Sequence, residues 1–200
     1  MVISLRVYLA ILAALAAERV FELARSGRNA RCAIAMGAVE VAKAQYANMA
    51  AFHALFIVSA AGEAILLKRP FPGTLGWAAL GGAILAQVMR YWCVATLGPR
   101  WNTRIIVMPG AAPVTSGPYR FMRHPNYFAV IVEIACVPLI HGCWLVATVF
   151  SAGNAALLAA RIRTEEAAMG TPYVVAFSGT PRLIPRLIAR TPGGPFPHRC

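Results

Sequence analysis

Four long apolar runs, Val2–Leu23, Ala47–Leu67, Thr74–Leu97 and Tyr127–Ile162, constrain this chain more than any other feature. The hydrocarbon core of a bilayer is about 30 Å thick, and a helix crosses it with about 20 predominantly apolar residues. The fourth run exceeds one span and is interrupted by Pro138 and by His141-Gly142. It therefore reads as a helical hairpin that turns near Pro138 to Gly142, where proline and glycine break a helix. The expected fold is all-α: a polytopic transmembrane bundle of about five helices, the last two forming the hairpin. Composition agrees, since 59% of the 200 residues are apolar and 13% charged, against about 25% charged in soluble domains. The first run carries Arg6, Glu18, Arg19 and Glu22, and Ala14–Ala17 imitates a signal-peptidase site. A signal peptide is thus the alternative for that run, with further spans following either way.

Nineteen Lys and Arg stand against seven Glu and no Asp, for a net charge of +12. Such an excess suits nucleic acid or an anionic membrane surface. The basic residues sit in loops between apolar runs, with no aromatic-rich basic groove, so the partner is the lipid bilayer and not nucleic acid. Arg25, Arg28, Arg31 and Lys43 follow the first run, and Arg100, Arg104, Arg120 and Arg123 follow the third. Arg161, Arg163, Arg182, Arg186, Arg190 and Arg199 lie at or beyond the end of the hairpin, whereas only Lys68 and Arg69 occupy the opposite loop. The positive-inside rule then makes this a multi-pass inner or plasma membrane protein, N-terminus outside, with its basic side in the cytoplasm. Residues 190–200, rich in Pro and Gly, read as a flexible tail beyond a single membrane-embedded domain over residues 1–189.

The five cysteines, Cys32, Cys93, Cys136, Cys143 and Cys200, form no CxxC and no zinc spacing with histidine. They read as unpaired thiols, and no metal is expected. Cys200 is not followed by the residues that a prenylation signal needs.

The segment Val114-Thr-Ser-Gly-Pro-Tyr-Arg-Phe-Met-Arg-His-Pro-Asn-Tyr127 is a polar loop, rich in turn formers, that leads straight into a membrane run. Pro125 suits the first turn of a helix, whose free N–H groups favour an anion or carboxylate. A positive juxtamembrane anchor with interfacial tyrosines is the plainer reading of the same residues.

Thr115-Ser116-Gly117-Pro118-Tyr119, followed by Arg123-His124-Pro125-Asn126-Tyr127, resembles the T-S-G-x-Y and R-H-P-x-Y elements of the isoprenylcysteine carboxyl methyltransferase family. Arg161-Ile-Arg-Thr-Glu165-Glu166 is similar to that family's R-x-x-x-E-E element, again after a hairpin. The likeness covers residues 98–185, with departures at Ala111 in place of a histidine, at Met169 in place of leucine, and in a short interval from Glu166 to Gly170.

The resemblance implies a methyltransferase that uses S-adenosylmethionine at the cytoplasmic membrane surface, with residues 98–185 as its cofactor-binding core. Carried over, Val114, Tyr119, His124, Pro125, Asn126, Tyr127 and Glu165 would contact the cofactor and Arg161 the acceptor, Arg161 and Glu165 being the catalytic pair. The N-terminal elements Glu18–Leu23, Ser26–Asn29, Gly37–Glu40 and Trp101–Arg104 are similar to a bacterial branch linked to O-methylation of polyketide alkylpyrones and alkylresorcinols.

His53, Glu63 and Glu133 are ionisable residues inside apolar runs. Such groups are costly in a bilayer and face the bundle interior, so each is a functional candidate. An interhelical hydrogen bond is the structural alternative for His53 and Glu63. Glu133, on the helix that begins after His124, is the expected lining of the acceptor path. Arg19 and Glu22, three residues apart, pair on one helix face.

Methyl transfer to oxygen is an in-line displacement that needs alignment and no metal. A carboxylate acceptor, as on a prenylated cysteine, is ionised at neutral pH and suits a guanidinium fork. A hydroxypyrone or phenol needs a base. The competing class is a non-catalytic membrane transport or scaffold protein, which specific S-adenosylmethionine binding would separate. The charge asymmetry carries its own expectation: cysteine-accessibility labelling should place residues 120 and 185 on the same, cytoplasmic face. Labelling from opposite faces would refute the topology.

Overall fold

The computed structural model describes residues 2–185, so the expected tail at 190–200 lies outside the described residues. Five α-helices make up most of them: α1 (Leu5–Ala35), α2 (Lys43–Leu66), α3 (Thr74–Leu97), α4 (Pro125–Leu139) and α5 (Trp144–Ala176). The hairpin is α4–α5, and Pro138 lies in the last turn of α4, one residue before its end at Leu139. At the turn Gly142 takes φ +67°, and a Cβ there would lie 2.9 Å from the Pro70 carbonyl oxygen of the α2–α3 loop. Only glycine combines that left-handed backbone with that close approach.

Two features differ from the expectation. A two-stranded antiparallel sheet, β1 (Val39–Val41) against β2 (Ile105–Val107), pairs Val39 with Val107. Three-residue strands inside loops are too short for a period-2 pattern to announce them. Three helices are long and apolar enough to cross a membrane, over Lys43–Leu66, Thr74–Arg100 and Trp144–Ala176. Charged residues keep α1 out of that set, and the 15 residues of α4 rise only about 22 Å.

The core is continuous across the bundle. Tyr8 and Leu12 of α1, Phe56 and Ala60 of α2, Ile134 and Val137 of α4, and Phe150 of α5 meet in one buried cluster. Small residues bring α3 against α4: a Cβ on Gly82 would lie 2.7 Å from Cys136 Sγ. Close approach of this kind drives association where lipid removes the hydrophobic incentive. The outer faces expose Leu55, Val58, Ile84, Leu85, Val88 and Val149, an apolar surface suited to acyl chains.

The bundle has two chemically distinct ends. At one, the α2–α3 loop with Lys68 and Arg69 meets the α4–α5 turn, where Tyr8 stacks on His141 at 5.1 Å. There Glu63 accepts from Leu145 N at 3.2 Å, Val146 N at 2.8 Å and Arg69 Nε at 3.0 Å. It thus satisfies first-turn N–H groups that α5 cannot bond internally, which is an interhelical, structural use. At the other end lie the sheet, the 98–124 connection and the segment after α5, and with them the motif residues.

Candidate active site

The R-H-P-x-Y segment is held by the chain that follows α5. Gly170 adopts φ +65° and kinks α5, and residues 177–185 return beneath the motif loop. Arg123 N donates to Pro181 O at 2.9 Å, His124 N to Arg182 O at 3.0 Å, and Arg123 Nε to Thr180 O at 2.6 Å. Pro125 then opens α4 as its first residue. The His124 ring stacks on Tyr127 with centroids 5.3 Å apart, and Tyr173 Oη lies 3.5 Å from His124 Nε2.

The two adjacent glutamates do different work. Glu166 lies 3.2 Å from His124 Nε2, 2.6 Å from Arg182 Nη2 and 3.6 Å from Arg123 Nη1, which ties the returning segment to the loop. The same hydrogen bonds push the Arg182 guanidinium above its ordinary pKa. Glu165 instead accepts the hydroxyl of Tyr127. That hydroxyl in turn accepts from Arg161 Nε at 2.8 Å, and Arg161 Nη2 donates to Thr103 O at 2.6 Å. Burial holds the Tyr119 phenol well above its ordinary pKa, with Cys93 beside it.

A cavity of about 440 Å³ unites these groups, a size within the usual range for small-molecule sites. Tyr119, His124, Asn126, Tyr127, Arg161 and Glu165 line it near the loop end, with apolar walls from Met49, Ala50, Ile57, Val58, Val130 and Leu158. Val114 and Pro125 do not reach its wall. Glu133 lies behind the wall, 1% exposed, and is reached through two arginines.

Those arginines belong to a buried ionic cluster one to two turns deeper along the helices. Arg90 Nη2 donates to Glu133 Oε2 at 2.8 Å, and Arg19 Nη2 to the same oxygen at 3.3 Å. Arg19 Nη1 bonds Glu22 at 2.5 Å, as the i,i+3 spacing predicts, and Arg90 Nη1 lies 3.7 Å from Glu22 Oε1. Glu18 joins through Arg19 at 3.2 Å and Gln87 at 2.7 Å. Arg19, Glu22, Arg90 and His53 all face the cavity. The Nδ1 of His53 bonds Met49 O within its own helix at 2.8 Å, not a neighbouring helix.

The N-terminal elements converge on the same end. Ser26 Oγ donates to Asn102 Oδ1 at 2.7 Å and accepts from Thr103 N at 3.0 Å, Asn29 Nδ2 donates to Trp101 O at 2.7 Å, and Arg104 pairs with Glu40 at 3.1 Å. Thr103 carries this framework to Arg161.

The sequence profile of the Isoprenylcysteine carboxyl methyltransferase (ICMT) family matches residues 77–171. The uncharacterized protein YpbQ of Bacillus subtilis (strain 168) is 38% identical over 160 residues, covering 80% of this chain and 94% of that one. An uncharacterized protein of Haemophilus influenzae is 30% identical over 160 residues, covering 78% and 91%. The chain belongs to the isoprenylcysteine carboxyl methyltransferase family. Membership fits a membrane protein, and the matched region starts within α3, upstream of the motifs at residues 98–185 that carry the resemblance.

Within this family member, Arg90 is the residue that sequence reasoning passed over. It sits inside the third apolar run, and its charge alone was the available signal. Among the described residues, no three His, Cys or Glu side chains gather as a metal-holding group. Removing one partner from a buried ion pair leaves an uncompensated charge and costs about 3–5 kcal/mol. Arg90→Leu should therefore destabilise the detergent-solubilised protein by about that amount, and Arg90→Leu with Glu133→Leu by clearly less than the two single changes summed. Additive losses in thermal or denaturant unfolding would show that the pair is not coupled.

Proposed function

We propose that the protein is an S-adenosylmethionine-dependent O-methyltransferase whose acceptor is lipophilic, with a prenylated cysteine carboxylate as the acceptor the family name describes. The observation that carries this reading is a single cavity joining the polar motif residues to the apolar interior of a membrane bundle. A tailed acceptor then keeps its chain among helices while its polar head meets a water-soluble cofactor. In the same reading α4 and α5 form a hairpin that enters and leaves on one side, and the loop end faces the cytoplasm.

The residues present suit that cofactor. Asn126 Oδ1 is buried without a hydrogen-bond partner and lines the cavity, an acceptor waiting for a ligand donor. Stacked His124 and Tyr127 offer an aromatic wall. Bound S-adenosylmethionine supplies a methyl group carried on a cationic sulfonium. Glu165 places a carboxylate at the same wall, with its orientation set by Tyr127. Pro125 sets the start of α4. Arg161 is already anchored at Thr103 and Tyr127, so its remaining N–H groups point an ordered guanidinium edge at an acceptor oxygen. Holding acceptor and methyl at about 3–3.5 Å in line is the catalytic contribution open to such a site. A transport or scaffold role would need no such cofactor affinity.

Two outcomes test the assignment. Glu165→Gln should weaken S-adenosylmethionine binding, read by calorimetric titration, about tenfold or more, the scale of one charge-assisted hydrogen bond. Glu166→Gln should weaken it less, because Glu166 is committed to Arg182 and His124; equal effects, or none, would remove the motif assignment. Arg161→Lys should lower kcat/KM about tenfold to a hundredfold while sparing cofactor affinity, since a lysine cannot bridge Tyr127 and Thr103 and still present an edge. Full activity in that variant would take Arg161 out of the acceptor site.

A further inference from the structure

A second, smaller cavity lies between α1 and α3, apart from the motif residues. Glu18, Phe21, Glu22 and Arg25 line it from one face of α1, with Tyr91 of α3 and Trp101 of the connection that follows. Positions three and four apart share a helix face, so these four α1 residues stack along one slot. Phe21 and Tyr91 are 62% and 56% exposed, so the slot opens on the outer surface of the bundle. Its Arg25 end lies at the loop end, because the neighbouring Ser26 bonds Asn102 and Thr103 beyond the end of α3. The volume is about 60 Å³. One water needs about 10–15 Å³ of such space, so the slot has room for a small polar head and none for a ring system or an acyl chain.

Two groups of opposite sign are unmet in this slot. Glu22 is 6% exposed, and its Oε1 accepts no hydrogen bond, with Arg90 Nη1 standing off at 3.7 Å. Arg25 is half-buried and makes no ion pair among the described residues. Glu18, by contrast, is engaged by Arg19, Gln87 and the Tyr91 hydroxyl. A buried acceptor without a donor is costly and marks a place where a partner is missing. Three residues separate Glu22 from Arg25, about 4.5 Å of helical rise, close to the reach of an aminoethyl group. A lone cation in the slot would face Arg25, and a lone anion would face Glu18 and Glu22. A zwitterion answers both.

We propose that the α1–α3 slot binds the head of a zwitterionic phospholipid bearing a primary ammonium, of the phosphatidylethanolamine type. The ammonium enters the slot, donates to Glu22 Oε1 and faces the rings of Tyr91 and Trp101, which attract a cation. The phosphate stays at the outer end on the Arg25 guanidinium, and the acyl chains run along the exposed Phe21 and Trp92. A primary ammonium is selected over a quaternary one because only N–H groups satisfy the unmet oxygen. A head without an amine leaves that oxygen unmet and sets a phosphate beside two carboxylates. Glu22 also bonds Arg19, so the bound lipid braces the buried ionic cluster from outside.

The test uses the full-length protein, delipidated in detergent, with lipids of identical acyl chains added back one class at a time. Retention is read by native mass spectrometry and bracing by thermal unfolding. The classes are phosphatidylethanolamine, its N-monomethyl form, phosphatidylcholine and phosphatidylglycerol. Wild type should hold phosphatidylethanolamine about tenfold or more tightly than phosphatidylcholine, the scale of one charge-assisted hydrogen bond. The monomethyl form keeps N–H groups and should stay close to phosphatidylethanolamine, and both should raise the unfolding temperature more than phosphatidylcholine does. Arg25→Gln should weaken phosphatidylethanolamine about tenfold, and Glu22→Gln should shrink its preference over phosphatidylcholine. Should Glu22→Gln fail to fold, the wild-type series and Arg25→Gln decide. Equal retention of phosphatidylethanolamine and phosphatidylcholine by wild type overturns the site, as does unchanged retention in Arg25→Gln. Tighter retention of phosphatidylglycerol than of phosphatidylethanolamine overturns it too, since that shows only a basic surface meeting anionic lipid. Soluble phosphoethanolamine binding as tightly as the lipid overturns the assignment to a membrane lipid.

Discussion

The arrangement of α1, α3 and α4 depends on one buried contact, the shared grip of Arg90 and Arg19 on the Glu133 carboxylate. Both guanidiniums are largely buried, so each charge is tolerable because the others are within hydrogen-bond reach. The consequence is geometric. The three helices acquire a fixed rotation, because turning any one by a fraction of a turn would strand a charge. The cavity is what remains on the open side of this lock, and its deep wall inherits the cluster's polarity.

A second, shallower network sets the mouth. Glu166, Arg182, Arg123 and His124 bind the segment after α5 to the start of α4. The Ser26, Asn29 and Thr103 contacts bind α1 to the connection before it. Arg161 is where the two frameworks meet, bonded to Thr103 on one side and Tyr127 on the other. The consequence for chemistry is preorganisation: the guanidinium, the phenol and the Glu165 carboxylate form a chain whose order is set before any ligand arrives, which lowers the cost of alignment.

Much of this was legible because membrane sequences are strongly constrained. The hairpin at Pro138 to Gly142 followed from a run too long for one span, and the Arg19–Glu22 pair from i,i+3 spacing. The sheet of Val39–Val41 with Ile105–Val107 was not legible, since its strands are short and pair across more than sixty positions. The partners of Glu133 were hidden for a related reason: spacing along one helix says which residues share a face, but only packing says which helix they face. Hence Glu133 reads from sequence as cavity lining, whereas Arg19 and Arg90 stand between it and the cavity. His53 illustrates the same limit, since its tautomer is set by a backbone bond that pattern cannot reveal. Residues 186–200 lie outside the described part of the chain.

The central claim is that one cavity brings a water-soluble methyl donor to an oxygen on a lipophilic molecule. Its most direct test is transfer from methyl-labelled S-adenosylmethionine to a total lipid extract by the purified protein, with products separated and weighed by mass spectrometry. The account predicts label in an apolar product heavier than its precursor by one methylene unit and fragmenting as an O-methyl ether or ester. Tight cofactor binding with no label in any lipid, or label on nitrogen or carbon, would contradict it.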